Sequence, residues 1–167
     1  MNNRIEIVEY EEGLAKHFHD LNKSWLEKYF AIEPIDEEML GDPKKFYIDK
    51  GGYIFFARLN DAIVGTFALL KASDEVYELS KMAVDEKYQG RRIGNQLLDY
   101  CVQKAKESGM KKIILYSNTL LGPATHLYRK FGFVEVPMES SEYKRSNIKM
   151  EVNLPPAPLL QRGAGGR

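Results

Sequence analysis

The chain lacks most of the features that mark the easily recognised protein classes. It has one cysteine, Cys101, so no intramolecular disulfide can form, which fits a reducing compartment. Lysine plus arginine (24) equal aspartate plus glutamate (24), so no polyelectrolyte partner is implied and nucleic-acid binding is disfavoured. No apolar run approaches the length that spans a bilayer, and the first residues lack the apolar core of a secretion signal. A soluble, cytoplasmic protein without membrane contact is expected. There is no G-x-x-x-x-G-K-[S/T] and no G-x-G-x-x-G after a strand, so neither a nucleoside triphosphate nor NAD is favoured. His17 and His19 stand two apart in a helical pattern, hence on different faces, and no metal is expected.

What is present is ordinary globular composition, 44% hydrophobic and 29% charged over 167 residues, enough for one domain with a core. That domain is expected over residues 1–154. Residues 155–167 are rich in proline and glycine without a core pattern and are read as a disordered tail or a cloning remnant.

Residues 4–10 alternate apolar and polar, predicting a strand, and residues 12–30 carry Leu14, Phe18, Leu21, Trp25 and Tyr29 at helical spacing. Asp36 reads as the N-cap of a short helix, and Pro43 starts another turn. Residues 53–59 and 62–70 form a hairpin about Asn60-Asp61, followed by a strand over 76–84. A helix is predicted over about 92–108, a parallel strand over 113–117, a helix over 120–130, and strands over 133–136 and 147–153. The class is α/β: a mixed, mostly antiparallel central sheet with helices on both faces, in the order β-α-α-β-β-β-α-β-α-β-β. The last strand is expected to be an edge open to pairing in a homodimer.

The stretch from Met82 to Leu98 organises the rest. A strand ends, a turn bearing Gly90 and Gly94 follows, and a long amphipathic helix opens. A helix start presents free backbone N–H groups and partial positive charge, and glycine lets an anion approach the main chain. Read with what flanks it, this stretch acquires a family likeness. Gln89-x-x-Arg92-x-Gly94 follows Glu78-Leu-Ser-Lys-Met-Ala-Val84; Asn118 and then Tyr128 ahead of Gly132-Phe133 come later. The combination resembles the GNAT superfamily of acetyl-CoA-dependent N-acetyltransferases, whose phosphate loop is [Q/R]-x-x-G-x-[G/A]. Residues 78–150 look similar to the acetyltransferase half of proteins fusing a MarR-like regulator to such a domain; no regulator is expected ahead of them, and nothing about DNA is expected to carry over.

The resemblance implies the GNAT-like acyl-CoA N-acyltransferase fold and acetyl-CoA as co-substrate. The main chain of Met82, Ala83 and Val84 would pair with the pantetheine arm. Gln89, Gly90, Arg91 and Arg92, with Ile93, Gly94 and Asn95, would hold the pyrophosphate. Asn118 would bond the pantetheine or the strand backbone. Arg92 stands where the family usually has glycine; at a first helical turn φ is negative, so arginine is expected to be tolerated there, its guanidinium near phosphate.

Acetyl transfer to an amine uses a base, a donor to the carbonyl oxygen, an acid for the thiolate, and alignment. Tyr128 matches the family's general acid. Glu78, a carboxylate in an apolar strand, is the candidate base, and strand parity puts it on one face with Met82 unless a bulge intervenes. Cys101 is mid-helix and away from the predicted site, so direct attack in a ternary complex is expected. Tyr29, Phe30 and Glu33 after the first helix, and Tyr143 and Arg145 in the late loop, are candidates for the acceptor pocket, with Arg145 suited to a carboxylate. A small or amino-acid-like amine is the favoured acceptor. The alternatives are a protein lysine or N-terminal amine, or a CoA-binding sensor without turnover.

Overall fold

The computed structural model describes residues 4–155. The elements are β1 (Ile5–Glu9), α1 (Ala15–Tyr29), α2 (Pro34–Gly41), β2 (Tyr53–Leu59), β3 (Ala62–Lys71), β4 (Val76–Val84), α3 (Ile93–Glu107), β5 (Lys112–Ser117), α4 (Gly122–Lys130), β6 (Val134–Val136) and β7 (Ile148–Asn153). A wide helical turn, Lys44–Ile48, follows Pro43. The strands form one sheet in the order β1-β2-β3-β4-β5-β7-β6. Every neighbouring pair is antiparallel except β4 and β5, which are parallel because α3 crosses between them. The mixed sheet and element order expected from the sequence are therefore present. The tail expected over 155–167 lies outside the described residues except for Pro155.

Each sheet face has its own core. Phe55, Phe67, Leu79 and Leu115 pack with Leu97, Leu98 and Cys101 of α3 on one face. Ile54, Phe56 and Ala68 pack with Phe18 and Leu26 of α1, Met39 and Leu40 of α2, and Tyr47 on the other. Adjacent strand residues thus serve opposite layers, as a sheet covered on both faces requires. Gly65 lets α3 lie close: a Cβ there would stand 3.0 Å from Leu97 Cδ1.

Three local expectations are corrected. First, Asp36 is not an N-cap. Pro34, with its fixed φ and missing N–H, suits the first helical position, so α2 starts three residues earlier with Glu33 as the cap. Asp36 then falls in the first turn, accepts from the Glu33 N–H at 2.9 Å, and is fully buried. Second, β7 is not an edge strand. It inserts between β5 and β6, so both of its sides are paired, and the sheet edges are β1 and β6. Third, the buried stripe of α1 is Phe18, Asn22 and Leu26, one turn-step round from the stripe that the apolar residues suggest.

The feature that positions the site is in β4. Ser80 pairs with Ala68 and Ala83 with Thr66, so Lys81 and Met82 together face the single residue Phe67. This is a bulge, and Lys81 takes the left-handed conformation within it, φ +56°. Met82 then packs toward the α3 core, while Ser80 bonds Tyr47 on the opposite face. Glu78 shares the Ser80 face by alternation, so the parity that would align Glu78 with Met82 is broken. β4 and β5 stay paired only over Val76–Leu79 and Lys112–Leu115. Beyond the bulge they separate.

Candidate active site

A cavity of about 240 Å³ opens where β4 and β5 part. Glu78 through Val84 form one wall and Leu115 through Asn118 another. Trp25 of α1, Tyr128 of α4, and Tyr143 and Arg145 of the loop before β7 close the remaining sides. Past Leu79 the β5-facing edge of β4 has no strand partner, which leaves the peptide groups of Met82, Ala83 and Val84 available to an extended ligand.

The turn after β4 leads directly to a donor cluster. Asp85 accepts from the Lys87 N–H at 3.0 Å and winds a short turn over Glu86–Tyr88. Gly90 follows at φ +84°, with nothing within 4 Å of where a Cβ would sit. The first helical bond of α3 runs from the Gln96 N–H to the Arg92 carbonyl at 3.2 Å. Among the described residues, the backbone N–H groups of Gly90, Arg91, Arg92, Ile93, Gly94 and Asn95 meet no protein acceptor. Six adjacent free donors at a helix start offer partial positive charge of the kind that suits an anion. Gln89 and Gly94 reach the cavity itself, and Gly90, Arg92 and Asn95 line the groove that continues toward α4. The side chain of Arg91 lies over the Tyr88 ring at 5.4 Å, and that of Ile93 is buried in the core, so both offer main chain only.

Arg92 departs from expectation. It is the N-cap of α3 and sits at φ +60°, not in a helical turn with negative φ. For a residue with a Cβ this conformation costs about 1–2 kcal/mol, which is why glycine suits the position.

Tyr128 points its ring against Phe133, centroids 5.9 Å apart, and lines the cavity. Its hydroxyl has no hydrogen-bond partner among the described residues. Burial, with a smaller contribution from nearby Cys101, pushes its pKa up to about 12, so it stays protonated and able to donate. Cys101 is therefore closer to the site than its sequence position suggests. It is fully buried and outside the cavity wall, and burial holds its thiol protonated. Glu78 has no hydrogen-bond or ion-pair partner among the described residues. Burial and then Glu142 raise it to about 7, against the opposing pull of Lys81 and Lys149.

The acceptor-side candidates divide. Phe30 lines the cavity, but Tyr29 is 46% exposed on a neighbouring groove with Lys28 and Glu86. Glu33, Tyr143 and Arg145 do come together, in a network centred on the buried Asp36 and Lys81. Arg145 donates to both Asp36 oxygens, at 2.7 and 2.8 Å, and to Glu33 at 3.1 Å. Lys81 donates to Asp36 at 2.8 Å and to the Tyr143 hydroxyl at 3.1 Å, its ammonium 4.4 Å from that ring's centre. Glu33 also accepts from the backbone N–H of Lys144 and Arg145. Burial would raise Asp36, yet Arg145 and Lys81 hold its carboxyl at about 2. Burial pulls Lys81 below the ordinary lysine range while Asp36 pulls it back; the 2.8 Å contact to an ionised carboxylate keeps it charged. Arg145 does bind a carboxylate, as its chemistry suggests, but the carboxylate is the protein's own.

Asn118 likewise serves the loop. Its amide donates to the Arg145 carbonyl at 2.6 Å and its oxygen accepts from the Leu120 N–H at 2.8 Å, rather than bonding strand backbone. Sequence reasoning missed Asn22, Asp36 and Lys81. Two of these carry a signal in hindsight: Asn22 interrupts an apolar stripe at i, i+4, i+8, and Lys81 interrupts an apolar strand.

A sheet splayed at one parallel pair, with a free-donor helix start at the mouth, defines an acyl-CoA-type transferase architecture. Residues 16–133 match the model of the acetyltransferase (GNAT) family, and the chain belongs to that family. It is 31% identical over 104 residues to the uncharacterized N-acetyltransferase YvbK of Bacillus subtilis, covering 60% of this chain and 67% of that one. It is 26% identical over 129 residues to the probable N-acetyltransferase camello of Xenopus tropicalis, covering 76% of this chain. The match spans 55%, about half, of that relative's length. A GNAT-family acetyltransferase crystal structure from Staphylococcus aureus Mu50 superposes with a TM-score of 0.82 at 26% identity, covering 91% of this chain and all of the other.

Two stability outcomes follow from the site's geometry. Asp36→Ala strands the buried Lys81 ammonium and leaves Arg145 with Glu33 alone, and is expected to cost about 3–5 kcal/mol in urea unfolding; a loss under 1 kcal/mol would show the network to be dispensable. Arg92→Gly relieves the left-handed strain and is expected to stabilise by about 1 kcal/mol, because the 1–2 kcal/mol recovered is partly offset by glycine's freedom when unfolded; a lower urea midpoint would contradict it.

Proposed function

We propose that the chain transfers an acetyl group from acetyl-CoA to a primary amine by direct attack in a ternary complex. The observation that carries this reading is the run of six free N–H donors from Gly90 to Asn95, set beside the unpaired edge of β4 and the unbonded Tyr128 hydroxyl. Those donors suit a diphosphate, and the edge at Met82, Ala83 and Val84 suits the two amides of a pantetheine arm. The residues present therefore fit the co-substrate. When bound, it supplies the acetyl group as a thioester.

The chain's own groups account for the proton traffic. Glu78, at about 7, takes a proton from the incoming ammonium, directly or through water, and frees the nitrogen lone pair for attack. A main-chain N–H near Met82 donates to the carbonyl oxygen as charge builds there. Tyr128 gives its proton to the sulfur as the carbon–sulfur bond breaks and the carbon–nitrogen bond forms. The nitrogen sheds its second proton to solvent as the amide forms, and solvent then removes the proton from Glu78 and returns one to Tyr128. Cys101, buried and protonated, has no part in a covalent relay.

Tyr128→Phe is expected to bind CoA with unchanged affinity while kcat, read by thiol release, falls about 10²-fold or more. Unchanged turnover would remove the acid role. In the unsubstituted chain kcat/KM is expected to rise about tenfold per pH unit up to about 7 and then level, because the base acts only when ionised. Glu78→Gln is expected to lose that inflection; a Glu78→Gln profile that kept it would assign the base elsewhere.

A further inference from the structure

The acceptor half of the cavity has an unbalanced set of polar groups. Its two cations are committed: Lys81 and Arg145 are matched by Asp36 and Glu33, two charges against two, at 2.7 to 3.1 Å. Two acceptors are left over. One is Glu78, which has no donor partner among the described residues. The other is Asn22, whose side chain is 1% exposed and lines the cavity. Its amide nitrogen donates to the Phe18 carbonyl at 3.0 Å. A carbonyl only accepts, so the nitrogen must face Phe18, and the Asn22 oxygen is left without a protein donor among the described residues. A buried acceptor without a donor carries a desolvation cost that a ligand donor can relieve. Lys149 and Glu142, of opposite sign, act on Glu78 from outside the cavity wall, and Lys149 lies near the Tyr116 ring at 5.7 Å. Two aromatic rings, Trp25 and Phe30, also line the cavity, their centroids 5.9 Å apart.

We infer that the acceptor is an apolar or aromatic primary amine without a carboxylate, its nitrogen held by Asn22 and Glu78 and its body against Trp25 and Phe30. This narrows the acceptor class named above and rests on that transferase reading. An α-amino acid would bring a carboxylate to a cavity that has no uncommitted cation and one unmatched anion, and it would be repelled.

The test is calorimetric titration of the full chain, free and CoA-loaded, with 2-phenylethylamine, 3-methylbutylamine, phenylalanine, leucine and phenylalanine methyl ester, with thiol release from acetyl-CoA measured in parallel. Each amine is expected to bind at least tenfold tighter than the amino acid of the same side chain. The ester, which keeps the bulk and removes the charge, is expected to recover most of the difference. Asn22→Ala is expected to weaken the amines and leave CoA binding unchanged. Amino acids binding as well as the amines, an ester as weak as the free acid, or no binding by any of the five would overturn the inference. Amine binding without thiol release would sustain it and remove the transferase reading; thiol release with the amino acids alone would do the reverse.

Discussion

The site depends on one extra residue in β4. Placing Lys81 and Met82 opposite Phe67 sends the strand away from β5, and the wedge between them becomes the cavity. The same residue turns a lysine inward, where an isolated ammonium would be costly to bury. Asp36 of α2 resolves that cost, and Arg145 of the late loop shares the carboxylate. A backbone irregularity in one strand is thereby tied to a helix on one side and a loop on the other. The elements that line the cavity on both sides are thus tied to the strand whose bulge opens it.

This network separates two kinds of charge. Those in the Asp36–Lys81–Arg145–Glu33 cluster are matched and structural, and a buried cluster of this kind contributes definition more than net stability. Glu78, Tyr128 and the helix-start N–H groups are unmatched by protein partners among the described residues, and the proposed function assigns the chemistry to them. The distinction rests on which groups lack partners, not on which are charged. It places Arg145 and Glu33 in the cavity's frame, and it is the ground on which Asn22 is proposed as a contact for the acceptor.

Element types and order were legible in the sequence because they follow from period and punctuation. The strand–turn–helix from Met82 to Leu98 needed only alternation, two glycines and a 3.6-residue stripe. The family likeness rested on the same stretch, with Asn118, Tyr128 and Gly132-Phe133 downstream, and the family assignment agrees with it. Legibility failed where a side chain's partner lies far along the chain. Asp36 read as a cap because its neighbours are helical; its partners Lys81 and Arg145 are 45 and 109 residues away. Strand parity between Glu78 and Met82 failed at the bulge, since a period of two carries no mark of where a residue is inserted.

By itself the sequence determined the local geometry: where the chain extends, where it coils, and that a glycine-bearing turn opens α3. Short-range steric preference and hydrophobic spacing are sufficient for that. Only the tertiary structure decided which polar groups are matched, that β7 is covered by β6, and that Arg92 is held left-handed. Those outcomes depend on long-range pairing and on desolvation, which no local pattern of residues encodes.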